Sequence, residues 1–353
     1  MRGKDTKQSS MLCLMSPEER VPATHPLRGI KKLADAALAE LSPTFDGMYA
    51  SGGRPSVPPE RLLKAMLLMA LYSVRSERQF CEQLEYNLLF RWFLDMDMLE
   101  AAFVPTVLTH NRERLLEHEV AAKFFRAVVE QARAKNLMSA EHFSVDGTLI
   151  EAWASAKSFR PKDDDDDDNN GWSDFSGTKR RNDTHESKTD PESKLWRKGK
   201  GRESKLSYMG HALMENRNGL LVGFGVTQAS GLAEREAALA LLNQAVPGGN
   251  RITLGADRGY DCRDFVEKCR THDVTPHVAQ NVHQRSGIDR RTTRHPGYAV
   301  SIAVRRRIES IFGWLKTTAG LRRTRYRGRA KTELFGYLAA AAYNLVRISR
   351  LAA

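Results

Sequence analysis

Cysteines, long apolar runs and acidic residues near the C-terminus are all scarce in this sequence. Its four cysteines include no Cys-x-x-Cys pair, and only Cys262 and Cys269 lie close together. That spacing suits neither a zinc site nor a disulfide framework, so we expect reduced thiols in a cytoplasmic protein. No apolar run reaches the ~18 residues of a membrane span. Residues 1–10 are polar, so we expect neither export nor a membrane partner.

The scarcity of acids after residue 284 makes the C-terminal part strongly basic. It has 16 Lys and Arg residues against three acids, Asp289, Glu309 and Glu333, in a chain of net charge +12. Concentrated positive charge indicates a polyanionic partner, and DNA or RNA is the first candidate. A solvated basic surface is the alternative that charge by itself leaves open.

The N-terminal part has helical patterns. Residues 1–54 are predicted to be a leader with one short helix, Gly29–Leu41, and residues 55–137 a helical domain. Ser76 begins a capping box, and a continuous helix is expected over Asn111–Asn136. Short helices with basic residues fit a helix-turn-helix-like DNA-binding domain, and a plain packing bundle fits nearly as well.

After residue 137 the pattern changes from helical to alternating. His142–Asp146 is predicted to be a strand that ends on Asp146, and Asn218-Gly219 predicts a type I′ turn between two further strands. Strands and helices then alternate, and helices are expected at Val300–Thr318 and near the C-terminus. This order favours an α/β fold with a mixed sheet.

A polar stretch at about residues 160–204 interrupts the strands. It has 11 Lys and Arg residues against 12 acids and few apolar residues, which is typical of a flexible insertion. The adjacent acids of Asp163–Asp168 repel each other, so we expect this run to be solvated rather than to bind a specific metal ion. Trp172 and Trp196 suit either base stacking or anchoring of the insertion.

Three carboxylates stand out by position. Asp146 and Asp257 are each predicted to lie at the C-terminal end of a strand, where active sites of open α/β sheets collect. Glu309 lies in the predicted helix Val300–Thr318. At 100° per residue, Arg305, Glu309 and Lys316 fall within about 40° of each other on that helix. They lie beside an apolar stripe formed by Val304, Ile308, Ile311, Phe312 and Leu315.

Such residues suit phosphodiester chemistry. Two Mg²⁺ ions roughly 3.5–4 Å apart can activate an attacking oxygen and stabilise the leaving one. Hard cations prefer carboxylate oxygens, and flanking Arg and Lys side chains can hold the phosphates. Each residue taken singly is more often a turn cap or a surface ion pair, so the combination carries the hypothesis.

The sequence around these residues resembles bacterial insertion-sequence transposases of the IS5 group, within the IS4-like DDE class. The stretches that carry the resemblance are Phe143–Ser155, Lys157–Pro161, Gly255–Asp261, Arg306–Lys316, Arg54–Arg61 and Tyr72–Arg78. The resemblance therefore covers nearly the whole chain. The wider class has a Tyr-x₂-Arg-x₃-Glu-x₆-Lys signature, which Arg305, Glu309 and Lys316 match, whereas position 302 is Ile instead of Tyr.

The resemblance implies an RNase H-like DDE catalytic domain at 138–353, with Asp146, Asp257 and Glu309 as catalytic residues and ligands of two Mg²⁺ ions, for which Mn²⁺ can substitute. It implies a nucleoid-associated DNA transposase that binds terminal inverted repeats and catalyses strand cleavage and strand transfer. The expected partners are double-stranded DNA, as element ends and target, and a second copy of the chain in a homodimer. The basic residues expected to contact DNA are Arg305, Arg306, Arg307, Lys316, Arg322, Arg323 and Arg325.

Two rival functions remain open at this stage. An RNase H-like nuclease would share the three acids but would not join strands. A catalytically inactive DNA-binding repressor of transposition would bind DNA without cleaving it.

Overall fold

The computed structural model describes residues 16–49, 56–162, 180–199, 201–245, 251–281 and 285–352. The Asp163–Asp168 run and Trp172 lie outside these ranges. Within them, no helix is both long and apolar enough to cross a membrane.

The described N-terminal part is entirely helical up to residue 134. Its helices are α1 (Pro17–Arg20), α2 (Leu27–Glu40), α3 (Ser42–Met48), α4 (Pro59–Leu71), α5 (Glu77–Tyr86), α6 (Leu88–Phe93), α7 (Pro105–Glu117) and α8 (Val120–Ala134). Ser76 caps α5 as predicted, since its hydroxyl accepts a hydrogen bond from Gln79 N at 3.3 Å.

Two predictions about these helices were wrong. The expected leader with one short helix forms α1, α2 and α3, and α2 buries Leu27, Ile30 and Ala34 in the core because it packs against α8. The single helix expected at Asn111–Asn136 is two helices. They are separated at Glu119, whose φ of 51° is left-handed and cannot continue a helix.

The C-terminal part is built on a six-stranded mixed sheet. In chain order the strands are β1 (His142–Glu151), β2 (Phe159–Pro161), β3 (His185–Ser187), β4 (Lys194–Trp196), β5 (Lys205–Glu215), β6 (Leu221–Gln228), β7 (Ile252–Ala256) and β8 (Val274–Val278). The main sheet has the order β4-β5-β1-β7-β8, with β6 also paired to β5, and β2 and β3 form a separate two-stranded sheet.

The strand directions divide the main sheet into two halves. β5 is antiparallel to β1, β4 and β6, whereas β7 is parallel to β1 and to β8. A meander of three antiparallel strands followed by two parallel strands on the other side of β1 is the arrangement of an RNase H-like sheet, which is the fold that the family resemblance implied.

The helices of this part are α9 (Ala233–Ala245), α10 (Arg263–Thr271), α11 (Arg290–Thr293), α12 (Pro296–Val304), α13 (Arg307–Thr317) and α14 (Arg329–Leu351). They cover both faces of the sheet. On one face α9 and α10 pack on Phe143, Val145 and Leu213, and on the other α13 and α14 join the N-terminal helices in one continuous core.

The long helix α14 connects the two parts of the chain. It contacts β6 on one side and α2, α4 and α8 on the other. It approaches β6 closely at Gly336, where a Cβ atom would lie 2.2 Å from Cε1 of Phe224. The α/β class with an all-helical N-terminal part is confirmed, and the boundary between domains near residue 137 stays a prediction because both parts share this core.

The β5–β6 hairpin forms, but its turn is not the type I′ turn expected at Asn218-Gly219. Gly219 has a φ of 71°, whereas Asn218 is not left-handed, and a type I′ turn needs positive φ at both residues. The buried Glu215 side chain organises a longer loop instead. Its carboxylate accepts hydrogen bonds from four backbone N–H groups, those of Ser139, Arg217, Asn218 and Leu220, at 2.8–3.0 Å.

Candidate active site

The first two acids of the predicted triad lie level with each other on neighbouring strands. β1 and β7 pair in parallel with His142 opposite Thr253 and Ser144 opposite Gly255. Continued by two residues, this register places Asp146 opposite Asp257, which directly follows β7 as predicted. Asp146 is two residues after Ser144, and Asp257 is two residues after Gly255. The extended register therefore sets the two carboxylates at the same height of the sheet.

Asp146 itself is not at the end of its strand, which corrects the prediction. It is the fifth residue of the ten-residue β1, because β1 stays paired with β5 as far as Glu151. The strand that ends at this height is β7. β7 ends at Ala256, so β1 has no parallel neighbour beyond that height. Asp146 therefore still lies beside the carboxyl end of a strand, that of β7.

Asp146 is in an environment that disfavours its charge. The pKa of its carboxyl is raised to about 7, chiefly by burial and also by the neighbouring carboxylates Asp257 and Glu234, although the hydrogen bond from Gly147 N and the Arg305 guanidinium act in the opposite direction. Mutually repelling carboxylates favour a divalent cation, since a cation compensates the charges that desolvation leaves unscreened.

Arg305 reaches this place because the predicted helix Val300–Thr318 is broken. The chain forms α12 up to Val304 and α13 from Arg307, with Arg305 and Arg306 in the turn between them. α12 packs mainly on β7 and β8 and also reaches β1, whereas α13 packs on β1, so the chain changes direction between them. Arg305 lies over Gly255, where a Cβ atom would be 3.5 Å from that of Arg305.

Glu309 lies in the first turn of α13, the helix that packs on β1. Its side chain is exposed, whereas Ile308, Ile311 and Leu315 of the predicted apolar stripe are buried. In the part of the chain that the structure describes, no three His, Cys, Asp or Glu side chains are gathered as a metal site. Asp146 and Asp257 are brought together, and Glu309 is on the adjoining helix but is not gathered with them.

The donor set nevertheless fits divalent cations. The carboxylates of Asp146 and Asp257 supply hard oxygen ligands. Two buried polar atoms, Tyr260 Oη and Arg305 Nε, have no hydrogen-bond partner within the described chain. Unpartnered buried polar atoms are uncommon in folded proteins and indicate a place where an ion, water or substrate group belongs.

Two residues of this site were missed at the sequence level. Glu234 comes from the second position of α9, and Tyr260 from the short 3₁₀ helix Arg258–Tyr260 directly after Asp257. Tyr260 could have been identified from the sequence because it is only three residues after Asp257. Glu234 follows β6 after a short loop. The expectation that active sites collect at the ends of strands, which selected Asp146 and Asp257, would also have selected the start of α9.

The predicted DNA-contacting residues separate into exposed and internal ones. Arg306, Arg307, Arg322 and Arg323 are exposed, and Arg323 donates to Trp153 O at 2.8 Å with its guanidinium 5.7 Å from the Trp153 ring.

Arg325 has a different role. Its guanidinium lies 4.6 Å from the ring of Phe335 and donates to Val74 O at 3.1 Å. Burial lowers its pKa. Arg325 therefore joins the C-terminal part to the loop before α5 instead of presenting its charge to a ligand.

Lys316 lines a cleft at the far end of α13 from Arg305. Glu151, Lys198 and Arg322 line the same cleft, and Trp153 lies in the adjoining one. Burial lowers the pKa of Lys316, and the positive charges of Lys198 and Arg322 lower it further. Clustered cations of this kind attract a polyanion.

Comparison with known proteins gives matches to two family models. A "Transposase domain (DUF772)" model matches residues 15–114, and a "Transposase DDE domain" model matches residues 139–345. A comparison with curated proteins found no match.

Among solved structures, the chain is similar to a piggyBac transposase synaptic complex with hairpin DNA, at 10% identity and a TM-score of 0.43, with 93% of this chain and 76% of that chain covered. It is also similar to the Mos1 strand transfer complex, at 11% identity and a TM-score of 0.21, with 86% and 79% covered. These scores are too low for the two structures to add to the argument. The DDE-domain model spans more than half of the sequence and contains all three predicted acids, so the chain belongs to the DDE transposase family.

Proposed function

We propose that this DNA transposase cleaves DNA at the ends of its own element and joins the freed 3′-hydroxyls to target DNA, with Asp146, Asp257 and Glu309 as the catalytic acids. The observation that carries the proposal is the parallel pairing of β1 with β7, whose register, extended by two residues, sets Asp146 level with Asp257. The resemblance to IS5-group transposases, and with it the terminal inverted repeats as the recognised DNA, belongs to the same proposal.

Two Mg²⁺ ions, or Mn²⁺ in their place, would supply charge neutralisation of the phosphodiester and activation of the attacking hydroxyl. The chain's own residues hold these ions and position the DNA. Asp146 and Asp257 provide oxygen ligands at a fixed height of the sheet. Glu309 adds its carboxylate from α13, a helix that packs on β1. Because the Glu309 side chain is exposed, rotation about its own bonds changes the distance between its carboxylate and those of Asp146 and Asp257.

Arg305 and Lys316 would hold DNA phosphates on either side of Glu309. Arg305 lies near Asp146 in the middle of β1, and Lys316 shares a cleft with Glu151 at the end of β1, so Arg305 and Lys316 place two cations along the strand. Phosphate contacts fix the register of a duplex without reading its sequence. Exposed Arg322 and Arg323 extend this basic surface, and the helical region 55–137 would recognise the element ends.

Strand cleavage of a labelled duplex carrying an element end, with Mg²⁺ or Mn²⁺, tests the proposal. Asp146→Asn, Asp257→Asn and Glu309→Gln each keep the size of the side chain, and each is expected to lower the cleavage rate at least 100-fold. The matched control is Asp264→Asn, which changes an exposed acid of α10 that pairs with Lys268. Cleavage at the parent rate by all three variants would refute the proposal.

A strand-transfer assay separates this function from a nuclease on the same fold. The parent enzyme is expected to join a pre-cut end with a free 3′-hydroxyl to a second duplex, and a nuclease would leave that end unjoined.

We further propose that two copies of the chain pair two element ends. Light scattering of the protein with end-containing DNA would then give the mass of two protomers, and a single protomer on one end would contradict the dimer.

A further inference from the structure

A loop of the N-terminal helical part is fixed to the C-terminal part of the chain. It consists of residues 72–76 and joins α4 to α5. Ser73 Oγ donates a hydrogen bond to Thr318 O at 2.7 Å, and Val74 O accepts the hydrogen bond from Arg325 described above. Two consecutive residues of the loop are therefore held by the two ends of the segment 318–325, which directly follows α13.

The start of α5 is fixed to the same part of the chain. Glu77 of α5 forms an ion pair with Arg112 of α7, and the guanidinium of Arg112 lies 4.5 Å from the ring of Tyr326. Arg112 and Tyr326 are both buried, so solvent weakens this contact little. The loop between α4 and α5 therefore has a defined position relative to α13.

This position brings Arg75 to the wall of a cavity. Arg75 is exposed and lines the cavity that also contains Trp153, which has a volume of about 600 Å³. Lys316 and Arg322 line the same cavity. The three cations come from three separate segments, namely the loop before α5, the last turn of α13 and the connection from α13 to α14.

The positive charge of these three side chains is not compensated within the described part of the chain. None of them forms a hydrogen bond or an ion pair there. Glu151 is the one acid among the described residues that line the cavity, and it pairs with Lys205 at 3.0 Å. The other two cations of the cavity, Arg323 and Arg325, donate to backbone carbonyl oxygens. The donors of the first three therefore remain available to a ligand.

An anion with several phosphates suits this arrangement. Like charges held near each other cost free energy unless an anion compensates them. Guanidinium and ammonium groups both bind phosphate oxygens, and one DNA strand has a phosphate about every 3.4 Å along the helix axis. Cations from three segments can therefore contact successive phosphates of one strand, whereas a single small anion would leave part of the positive charge uncompensated.

We propose that Arg75 is a DNA-phosphate contact that forms, with Lys316 and Arg322, one groove shared by the N-terminal and C-terminal parts of the chain. This inference rests on the proposed function, because it uses the DNA contacts assigned to Lys316 and Arg322. The helical part then does more than recognise element ends, since its α4–α5 loop forms one wall of the groove beside α13.

Binding of a labelled duplex that carries an element end, measured by fluorescence anisotropy at several salt concentrations without divalent metal, tests the inference. Arg75→Ala is expected to weaken binding about tenfold at low salt and to reduce the slope of log K against log salt by about 0.9, the value for one lost phosphate contact. Arg75→Lys keeps the charge and is expected to keep the slope of the parent.

The matched control is Arg20→Ala, which removes an exposed arginine of α1 that does not line the cavity. It is expected to keep both the affinity and the slope of the parent. Thermal unfolding checks that the variants are folded. Because Arg75 is exposed and unpaired within the described chain, the melting temperature of Arg75→Ala is expected to equal that of the parent.

Ethylation interference locates the contact on the DNA. The phosphate that Arg75 contacts is the one whose ethylation weakens binding by the parent but no longer matters to Arg75→Ala. It is expected on the same strand as the phosphate found in this way with Arg322→Ala. The two are expected within about three nucleotides of each other, because the shared cavity is roughly 8 Å across and phosphates are about 3.4 Å apart.

Parent-like affinity and slope of Arg75→Ala, a slope of Arg75→Lys equal to that of Arg75→Ala, or an interference site on distant phosphates would overturn the inference. None of these results affects the proposed catalytic acids, which are tested by cleavage with the Asp146, Asp257 and Glu309 variants. Conversely, normal cleavage by those variants would refute the proposed catalytic acids and leave the binding measurements unchanged.

Discussion

Replacing Glu215 with Gln tests how the β5–β6 hairpin is held in its register. The two carboxylate oxygens accept four backbone hydrogen bonds, two on each oxygen, and the side chain has 0% exposure. The amide of Gln keeps one acceptor oxygen and turns an NH₂ group, a donor, toward two backbone N–H donors. The volume of the side chain hardly changes, so the effect comes from the hydrogen bonds.

The magnitude follows from two lost bonds. A hydrogen bond to a charged group contributes about 1.5–3 kcal/mol, so Glu215→Gln is expected to lower the free energy of unfolding by about 3–6 kcal/mol. This is a large part of the stability of a typical protein.

Urea unfolding followed by circular dichroism measures this change. Glu82→Gln is the matched control, since Glu82 is exposed on α5, and its midpoint is expected to stay close to that of the parent. A loss below about 1 kcal/mol for Glu215→Gln would show that water or a rearranged loop replaces the carboxylate, and it would refute the reasoning.

Four further substitutions have distinct outcomes. Gly336→Ala places a methyl group against Phe224 and is expected to cost about 1–3 kcal/mol in thermal unfolding, and an unchanged melting temperature would mean that α14 can shift. Arg325→Ala is expected to lower the melting temperature with little change in DNA affinity. Arg322→Ala is expected to weaken DNA binding and to reduce its salt dependence by about one counterion. The reverse pattern would contradict the assignment of Arg325 to the core and of Arg322 to the DNA surface. Burial lowers the pKa of His211 to about 4, so the folded state resists its protonation, and stability is expected to fall by about 3 kcal/mol as the pH falls from 6.5 to 4. His211→Gln is expected to flatten this part of the curve of stability against pH, and an equally steep curve would locate the acid sensitivity elsewhere.

Two local signals in the sequence agreed on Asp146 and Asp257. Alternating residues identified β1 and β7, and the long motifs around Asp146 and Asp257 identified the chemistry. What the sequence could not supply was their register. The pairing of β1 with β7 depends on a meander and a helix that lie between them in the chain, and only the folded sheet shows that both acids stand at one height.

Glu309 and Arg305 show where helical periodicity fails. A wheel of 100° per residue assumes one straight helix, and the turn at Arg305–Arg306 breaks it, so the angle predicted between Arg305 and Glu309 does not apply. No proline or glycine marks this break in the sequence. It follows from packing, since α12 packs mainly on β7 and β8, whereas α13 packs on β1.

Charge also gave an incomplete prediction. Arg322 and Arg325 are alike in sequence context, yet Arg322 is exposed and Arg325 lies against Phe335. Composition counts both as positive charges available to DNA. Only the fold distinguishes them, because the aromatic ring beside Arg325 comes from α14.

The position of α14 in the shared core has a consequence for synthesis of the protein. The last described helix of 23 residues packs against α2, α4 and α8, which are made first. The N-terminal helices therefore keep part of their apolar surface uncovered until α14 has left the ribosome, and we expect them to rely on chaperones or on partial packing among themselves during that time. A product truncated before Arg329 would lack the cover for these helices, so we expect it to be degraded instead of persisting as a DNA-binding inhibitor of the full-length enzyme.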